Sequence, residues 1–226
     1  LPISVVITAE STADVHALTI AGGGTYAGSD GGEGFDFVGA GAISINDVAN
    51  VVEVMVRNGA QVTATVTAEI RARDELDVRA DAGSAAIFLS TDGESGGVPI
   101  TVGVGAATND VAEQVKATVA PGSAEGAVAP VLTAPITVVE AVGDTTIHAL
   151  SIGIGGAMQL GTGGGASFAN AGSGSGNTVG NTVHAKVQEA DTIAATSLSI
   201  RATDASEIVA DAGGVALLFT RGPPAF

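Results

Sequence analysis

The sequence predicts an all-β chain, a parallel β-solenoid (β-helix) built from repeats of roughly 65 residues. Three observations predict it. The same short markers recur at near-equal spacing along the whole chain. Apolar and polar residues alternate with period two, the period of a strand with one face buried. The apolar residues are chiefly Ala, Val and Ile, while aromatics are 3% and Trp is absent. A conventional globular core draws much of its buried area from aromatic side chains, so this interior has to be narrow and made of small and β-branched residues.

The first marker is Ile7-Thr8-Ala9-Glu10, with counterparts at Ile70-Arg71-Ala72-Arg73, Val139-Glu140-Ala141-Val142 and Ile200-Arg201-Ala202-Thr203. The second is Val15-His16-Ala17, matched by Val78-Arg79-Ala80, Ile147-His148-Ala149 and Ile208-Val209-Ala210 at the same three offsets. The third is Asn46-Asp47-Val48, matched by Asn109-Asp110-Val111 and Asn177-Thr178-Val179. They divide the single array into units of approximately 1–63, 64–132, 133–193 and a partial 194–226. Alternate units are the more alike. His-Ala-Leu stands at 16–18 and 148–150, Ala-Asp-Ala-Gly at 80–83 and 210–213, a super-period near 131 residues.

Strands follow from the alternation. Ile3, Val5, Ile7 and Ala9 open the first, and Val52, Val54 and Val56 oppose Glu53, Met55 and Arg57 in the next. From Val62 the apolar positions Ala64, Val66, Ala68, Ile70 and Ala72 alternate with Thr63, Thr65, Thr67, Glu69, Arg71 and Arg73. Leu198, Ile200 and Ala202 repeat the pattern near the end. Turn chemistry separates the runs at Asn58-Gly59, Asp92-Gly93, Pro121-Gly122 and the glycine tract 161–176. No amphipathic helix is predicted; the nearest candidate, 107–117, aligns with strand-like segments of other units. About three coils per unit, each of about 20–24 residues, would advance roughly 14 Å per unit. A β-sandwich array is the rival, without the buried Trp and tyrosine corner of an immunoglobulin core.

Net charge is −16, with only two lysines, which argues against nucleic acid and anionic membrane surfaces as partners. No cysteine is present to form disulfides or thiolate metal sites. No apolar run reaches the roughly 18 residues that suggest a membrane span. Leu1 opens directly into strand-like alternation, so the chain reads as a mature or processed piece of something longer.

Residues 39–54, Gly-Ala-Gly-Ala-Ile-Ser-Ile-Asn-Asp-Val-Ala-Asn-Val-Val-Glu-Val, followed by an Asn-Gly turn, a Val-Thr-Ala strand and segments like 7–11, resemble the repeat arrays of large bacterial filamentous adhesins and extracellular β-strand-repeat proteins. The resemblance covers essentially the whole chain. It implies export, a rod or filament shape, and adhesion or matrix scaffolding.

The sharpest local motif, Gly31-Gly32-Glu33-Gly34-Phe35-Asp36-Phe37-Val38, fits one RTX-like calcium nonapeptide and makes Asp30 and Asp36 the candidate Ca²⁺ ligands. A working site needs tandem copies; the segment aligned in the third unit, Gly164–Asn170, lacks the Asp. The bland alternative is an acidic loop. His16 and His148 hold equivalent positions two units apart, placed roughly 25–30 Å from each other by three coils per unit, too far to share a ligand. His184 has no acidic or nucleophilic neighbour in a recognisable pattern. Asp74, Glu75, Asp77 and Asp81 with Arg71, Arg73 and Arg79 form the one dense charged cluster; its partial repeat at Asp204, Glu207 and Asp211 favours a solvated face over an active site. Asn46, Asn109 and Asn177 read as structural, through left-handed turns or hydrogen bonds along a stack.

The expected function is therefore a structural or adhesive segment of a secreted or cell-surface protein, not an enzyme, with no cofactor unless Ca²⁺ binds. Its uncapped ends suit head-to-tail self-association, and a surface glycan or protein receptor is the other candidate partner. A calcium-dependent binding module and a carbohydrate-active β-helix enzyme are the alternatives.

Overall fold

The computed structural model describes residues 1–27, 35–91, 98–123, 125–160, 166–190 and 192–221, and all its regular elements are strands. They are β1 (Val5–Ala27), β2 (Phe35–Val56), β3 (Gln61–Thr63), β4 (Thr67–Ser90), β5 (Val98–Val119), β6 (Val131–Thr133), β7 (Ile136–Gln159), β8 (Phe168–Val179), β9 (Thr182–Val187), β10 (Thr192–Ala194) and β11 (Ser197–Thr220). Every pairing is parallel. Sheet A runs β1-β4-β7-β11; sheet B runs β2-β5-β8, with β9 continuing β8 along β5; the small sheet C runs β10-β6-β3. The chain is a parallel β-solenoid.

The coil is far larger than the expected 20–24 residues. Each unit makes one coil, not three: a long strand in sheet A, a long strand back in sheet B, and a three-residue strand in sheet C. Successive units stand about 4.8 Å apart, and a 23-residue strand spans about 75 Å. Small and β-branched residues allow such length, because a thin two-layer core demands only that alternate residues be compact. Parallel pairing is unbroken from Val5↔Ala68 to Ala27↔Ser90 and from Thr67↔Ile136 to Ser90↔Gln159. Each residue therefore sits on its counterpart from the neighbouring unit.

Sheets A and B lie face to face and run in opposite directions, so Ser11 meets Asn50, Ala17 meets Ser44, and Gly23 meets Gly39. The interior has three zones. Where sheet C closes the coil, Val52, Val54, Val56, Ile70, Val115, Leu132 and Val139 fill a triangular aliphatic core. Asn58 and Gly59, with φ of 56° and 71°, turn the chain into β3 there. The strand read as continuous from Val62 breaks at this corner: Val62 and Ala64 are buried, Val66 is exposed, and the ladder restarts at Thr67. The middle zone sets polar columns on either side of an aliphatic cluster of Leu76, Val78, Val111 and Ile147. Beyond it the layers meet through Ala and Gly, and the extreme end is filled by Phe88 and Val38.

Where the layers meet through Ala and Gly the backbones touch. A Cβ added to Gly103 would lie 2.0 Å from the carbonyl oxygen of Ile154, one on Gly153 2.2 Å from that of Gly172, and one on Gly155 2.1 Å from that of Asn170. The layers are much closer here than the usual ~10 Å between packed sheets. The described part of the glycine tract, expected to be a turn, is strand β8 over 168–176; Gly172, Gly174 and Gly176 take its outward phase, where an added Cβ meets nothing within 4 Å, and Ala171, Ser173 and Ser175 take the inward phase in register with Gly103, Gly105 and Ala107. The 107–117 segment is strand, inside β5.

Two glycine substitutions test the close approach. Gly103→Ala is expected to lose about 3 kcal/mol or more, since backbone must move. Gly83→Ala, where an added Cβ meets nothing within 4 Å, is expected to gain up to about 0.5 kcal/mol from reduced chain entropy. Urea denaturation of both variants reads the difference.

Candidate functional site

Parallel register turns repeated polar residues into ladders. Asn46, Asn109 and Asn177 point inward at mid-strand. The Asn46 amide donates to Asn109 Oδ1 at 2.8 Å, and the Asn109 amide donates to Asn177 Oδ1 at 2.8 Å. The second amide hydrogen of each crosses to sheet A: Asn46 to the Arg79 carbonyl at 2.8 Å, Asn109 to that of His148 at 2.9 Å, Asn177 to that of Val209 at 2.7 Å. The column is therefore bonded along the stack and across the layers. The stacking expected of these asparagines is present; the left-handed turn is not, as none has positive φ.

Further toward the aliphatic core lies a buried acidic column. Asp74 and Glu113, on β4 and β5, are both 0% exposed. Asn50 donates to Asp74 Oδ2 at 2.5 Å and to Ser11 Oγ at 3.2 Å, and the Thr145 hydroxyl donates to Glu113 Oε2. Asn181 bridges the next coil, donating to Thr145 and to Ser206 at 3.2 Å each. Asp74 Oδ1 and Glu113 Oε1 have no hydrogen-bond partner. Burial pushes the Glu113 carboxyl up from its ordinary 4.5; the Thr145 hydrogen bond opposes this, and the Asp74 and Asp204 charges add to it. Asp74 corrects the expectation of a uniformly solvated cluster: it is in phase with Ala72 and Leu76 and points inward, while Glu75, Asp77 and Asp81 alternate outward.

The outer face of sheet A carries a third column. Asp81 Oδ2 accepts from Arg79 Nε at 2.7 Å and lies 3.0 Å from His16 Nε2. His148 approaches the same carboxyl from the other side, Nδ1 to Oδ1 at 4.0 Å, and its Nε2 lies 3.6 Å from Asp211 Oδ2. The two histidines, expected 25–30 Å apart, flank one aspartate. One coil per unit brings them within two strand spacings. The order His16, Asp81, His148, Asp211 gives the 131-residue super-period its physical content: imidazole-bearing and carboxylate-bearing coils alternate. Burial tends to raise the Asp81 pKa, but hydrogen bonds and charge from His16 and Arg79 outweigh it and hold the carboxyl below its ordinary range.

The calcium ligands are less well placed. Asp30 lies outside the described residues. Asp36 is in β2, in the inward phase shared with Val38, opposite Pro99 of β5. Phe37, not Phe35, stands in register with Phe168 through Ile100, so the aligned motif in the third unit is displaced by one strand period. Among the described residues no group of three or more His, Asp or Glu side chains could hold a metal ion. His184 is on the outer face of β9 in register with Lys116. None of these columns joins a nucleophile to a base in a cleft; their chemistry is coil-to-coil recognition.

No family model, curated protein or solved structure matches the chain.

Two substitutions probe the inner columns. Asn109→Ala should cost about 3 kcal/mol, from three hydrogen bonds at about 1 kcal/mol each, and Asn177→Ala about 2 kcal/mol, from its two at the end of the column; equal losses in thermal melts would contradict this count. For Glu113 the folded pKa lies above the unfolded one. Stability is therefore full below 4.5 and falls as pH rises through the folded pKa. Glu113→Gln should raise the melting temperature at pH 7 and change it little at pH 4, since only the ionised form is penalised.

Proposed function

We propose that this chain is a structural repeat segment of an exported protein, a stiff, thin β-solenoid plate for adhesion or matrix assembly. One observation carries the reading: each coil templates the next through more than twenty in-register pairs in sheet A and as many between β2 and β5. The polar columns also run from coil to coil, not into a pocket. An architecture whose informative contacts all lie between repeats is one whose work is extension and stiffness. The resemblance to filamentous adhesin repeats agrees with this, as do the −16 charge and the absence of cysteine.

The edges of sheet A favour end-to-end association. β1 and β11 are its edge strands, of 23 and 24 residues. β1 belongs to the His-Ala-Leu type and β11 to the Ala-Asp-Ala-Gly type, so joining them preserves the alternation. Negative-stain microscopy and X-ray diffraction of the concentrated chain test the reading. Stacks about 75 Å wide with a repeat of about 4.8 Å are expected; discrete particles that bind and cleave a polysaccharide would overturn it.

A further inference from the structure

The glycines of sheet A fall into two classes. Those facing inward are required by the touching backbones. Those facing outward are not: an added Cβ meets nothing within 4 Å at Gly22, Gly83 and Gly213, and only a carbonyl oxygen at 3.7 Å beside Gly24 and at 4.0 Å beside Gly156. None of them has positive φ. Glycine weakens a strand, and in a strand interior it often marks the close approach of another backbone. Among the described residues nothing approaches Gly22, Gly83 or Gly213 from outside.

Their arrangement says what could. In register across sheet A, one row reads Ile20, Gly83, Ile152, Gly213, and the row four residues on reads Gly24, Ile87, Gly156, Leu217. Bulky and bare positions alternate in both rows, with opposite phase. Ile20, Ile87, Ile152 and Leu217 are 76%, 55%, 40% and 63% exposed. The surface is a checkerboard of knobs and holes with the two-coil period.

We propose that this half of the outer face of sheet A docks a second copy of the same chain. A twofold axis along the stacking direction, through the row of Gly22, Ala85, Ile154 and Val215, sets each of these against its own copy and lays the Ile20 row of one copy over the Gly24 row of the other. All four knobs then meet holes: Ile20 over Gly24, Ile87 over Gly83, Ile152 over Gly156, Leu217 over Gly213. The interface is isologous, and its side chains interdigitate as in a steric zipper. The flanking rows pair Leu18 with Tyr26, Leu150 with Met158, Asp81 with Leu89 and Asp211 with Phe219. Asp81 and Asp211 share the Leu18 row, and their carboxyls are engaged by His16, Arg79 and His148.

Charge and area both favour this partner. The twofold makes the facing strands antiparallel and overlaps only the rows from 17 to 27. The polar half, with Asp14, Glu75, Asp77 and Asp144, projects past the partner's edge, which separates the charge of two −16 chains. Four strands at about 4.8 Å and eleven residues at about 3.3 Å cover roughly 700 Å² per copy, close to the ~800 Å² per partner of a standard interface. Each further pair of coils would extend the same pattern. The inference does not rest on an adhesive role, and it concerns a face, whereas end-to-end stacking concerns the strand edges.

Sedimentation equilibrium of the full chain, in salt sufficient to screen its charge, should show a dimer of the 21.8 kDa chain. Gly83→Val and Gly24→Ile should each raise the dimer dissociation constant about tenfold or more by filling a hole, with unchanged circular dichroism. The double variant Ile20→Gly with Gly24→Ile exchanges knob and hole and should recover the dimer. A chain monomeric at every salt concentration overturns the proposal. So does a dimer indifferent to the glycine variants, which would belong to the edges, or a double variant no better than Gly24→Ile alone.

Discussion

In-register parallel stacking is the constraint on which everything else depends. With one coil per repeat, every side chain lies about 4.8 Å from the same position in the neighbouring units. A residue type that recurs becomes a column, and a residue type that alternates becomes an alternating column. Asn46, Asn109 and Asn177 satisfy one another because an amide both donates and accepts. His16, Asp81, His148 and Asp211 form an alternating series because imidazoles and carboxylates occupy successive coils. Like charges stack as well, Asp14 on Asp77, Glu75 on Asp144 and Asp47 on Asp110, but only on exposed faces, where solvent weakens their repulsion.

The same stacking decides what the thin interior can hold. The aliphatic end near sheet C packs Val, Ile and Leu from three sides. Toward the opposite end inward glycine and alanine bring the layers together, before Phe88 and Val38 fill the extreme end. Between the two, polar side chains bridge the layers; buried polar groups generally need partners, and Ser44, Asn46, Asn109 and Thr145 have them, whereas the Ser84, Thr137 and Ser151 hydroxyls find none among the described residues. Asp74 and Glu113 strain that rule. Their burial is compensated by Asn50, Thr145 and a raised Glu113 pKa, so this coil favours a proton where a second buried charge would be costly.

The outward glycines complete this picture from the other side of sheet A. Inside, glycine lets two layers of one chain touch; outside, it leaves holes that Ile20, Ile87, Ile152 and Leu217 of a twin can fill. One residue type thus serves two contacts, and the distinction is visible only in what a Cβ would meet.

Composition, period-two alternation and recurring markers determined the fold class, since burying one face of a strand forces alternation and stacking of repeats forces similarity. They also marked the asparagine column, because a polar residue fixed in an apolar phase needs a repeating partner. The coil length was not legible. A long strand and several short ones share the same alternation, and only pairing tells them apart. From that single unknown followed the wrong separation of His16 from His148, the reading of the 168–176 glycines as a turn, and the assignment of Asp74 to a solvated face. The tertiary structure decided these because register converts distance along the chain into distance in space, and sequence periodicity alone leaves that conversion open.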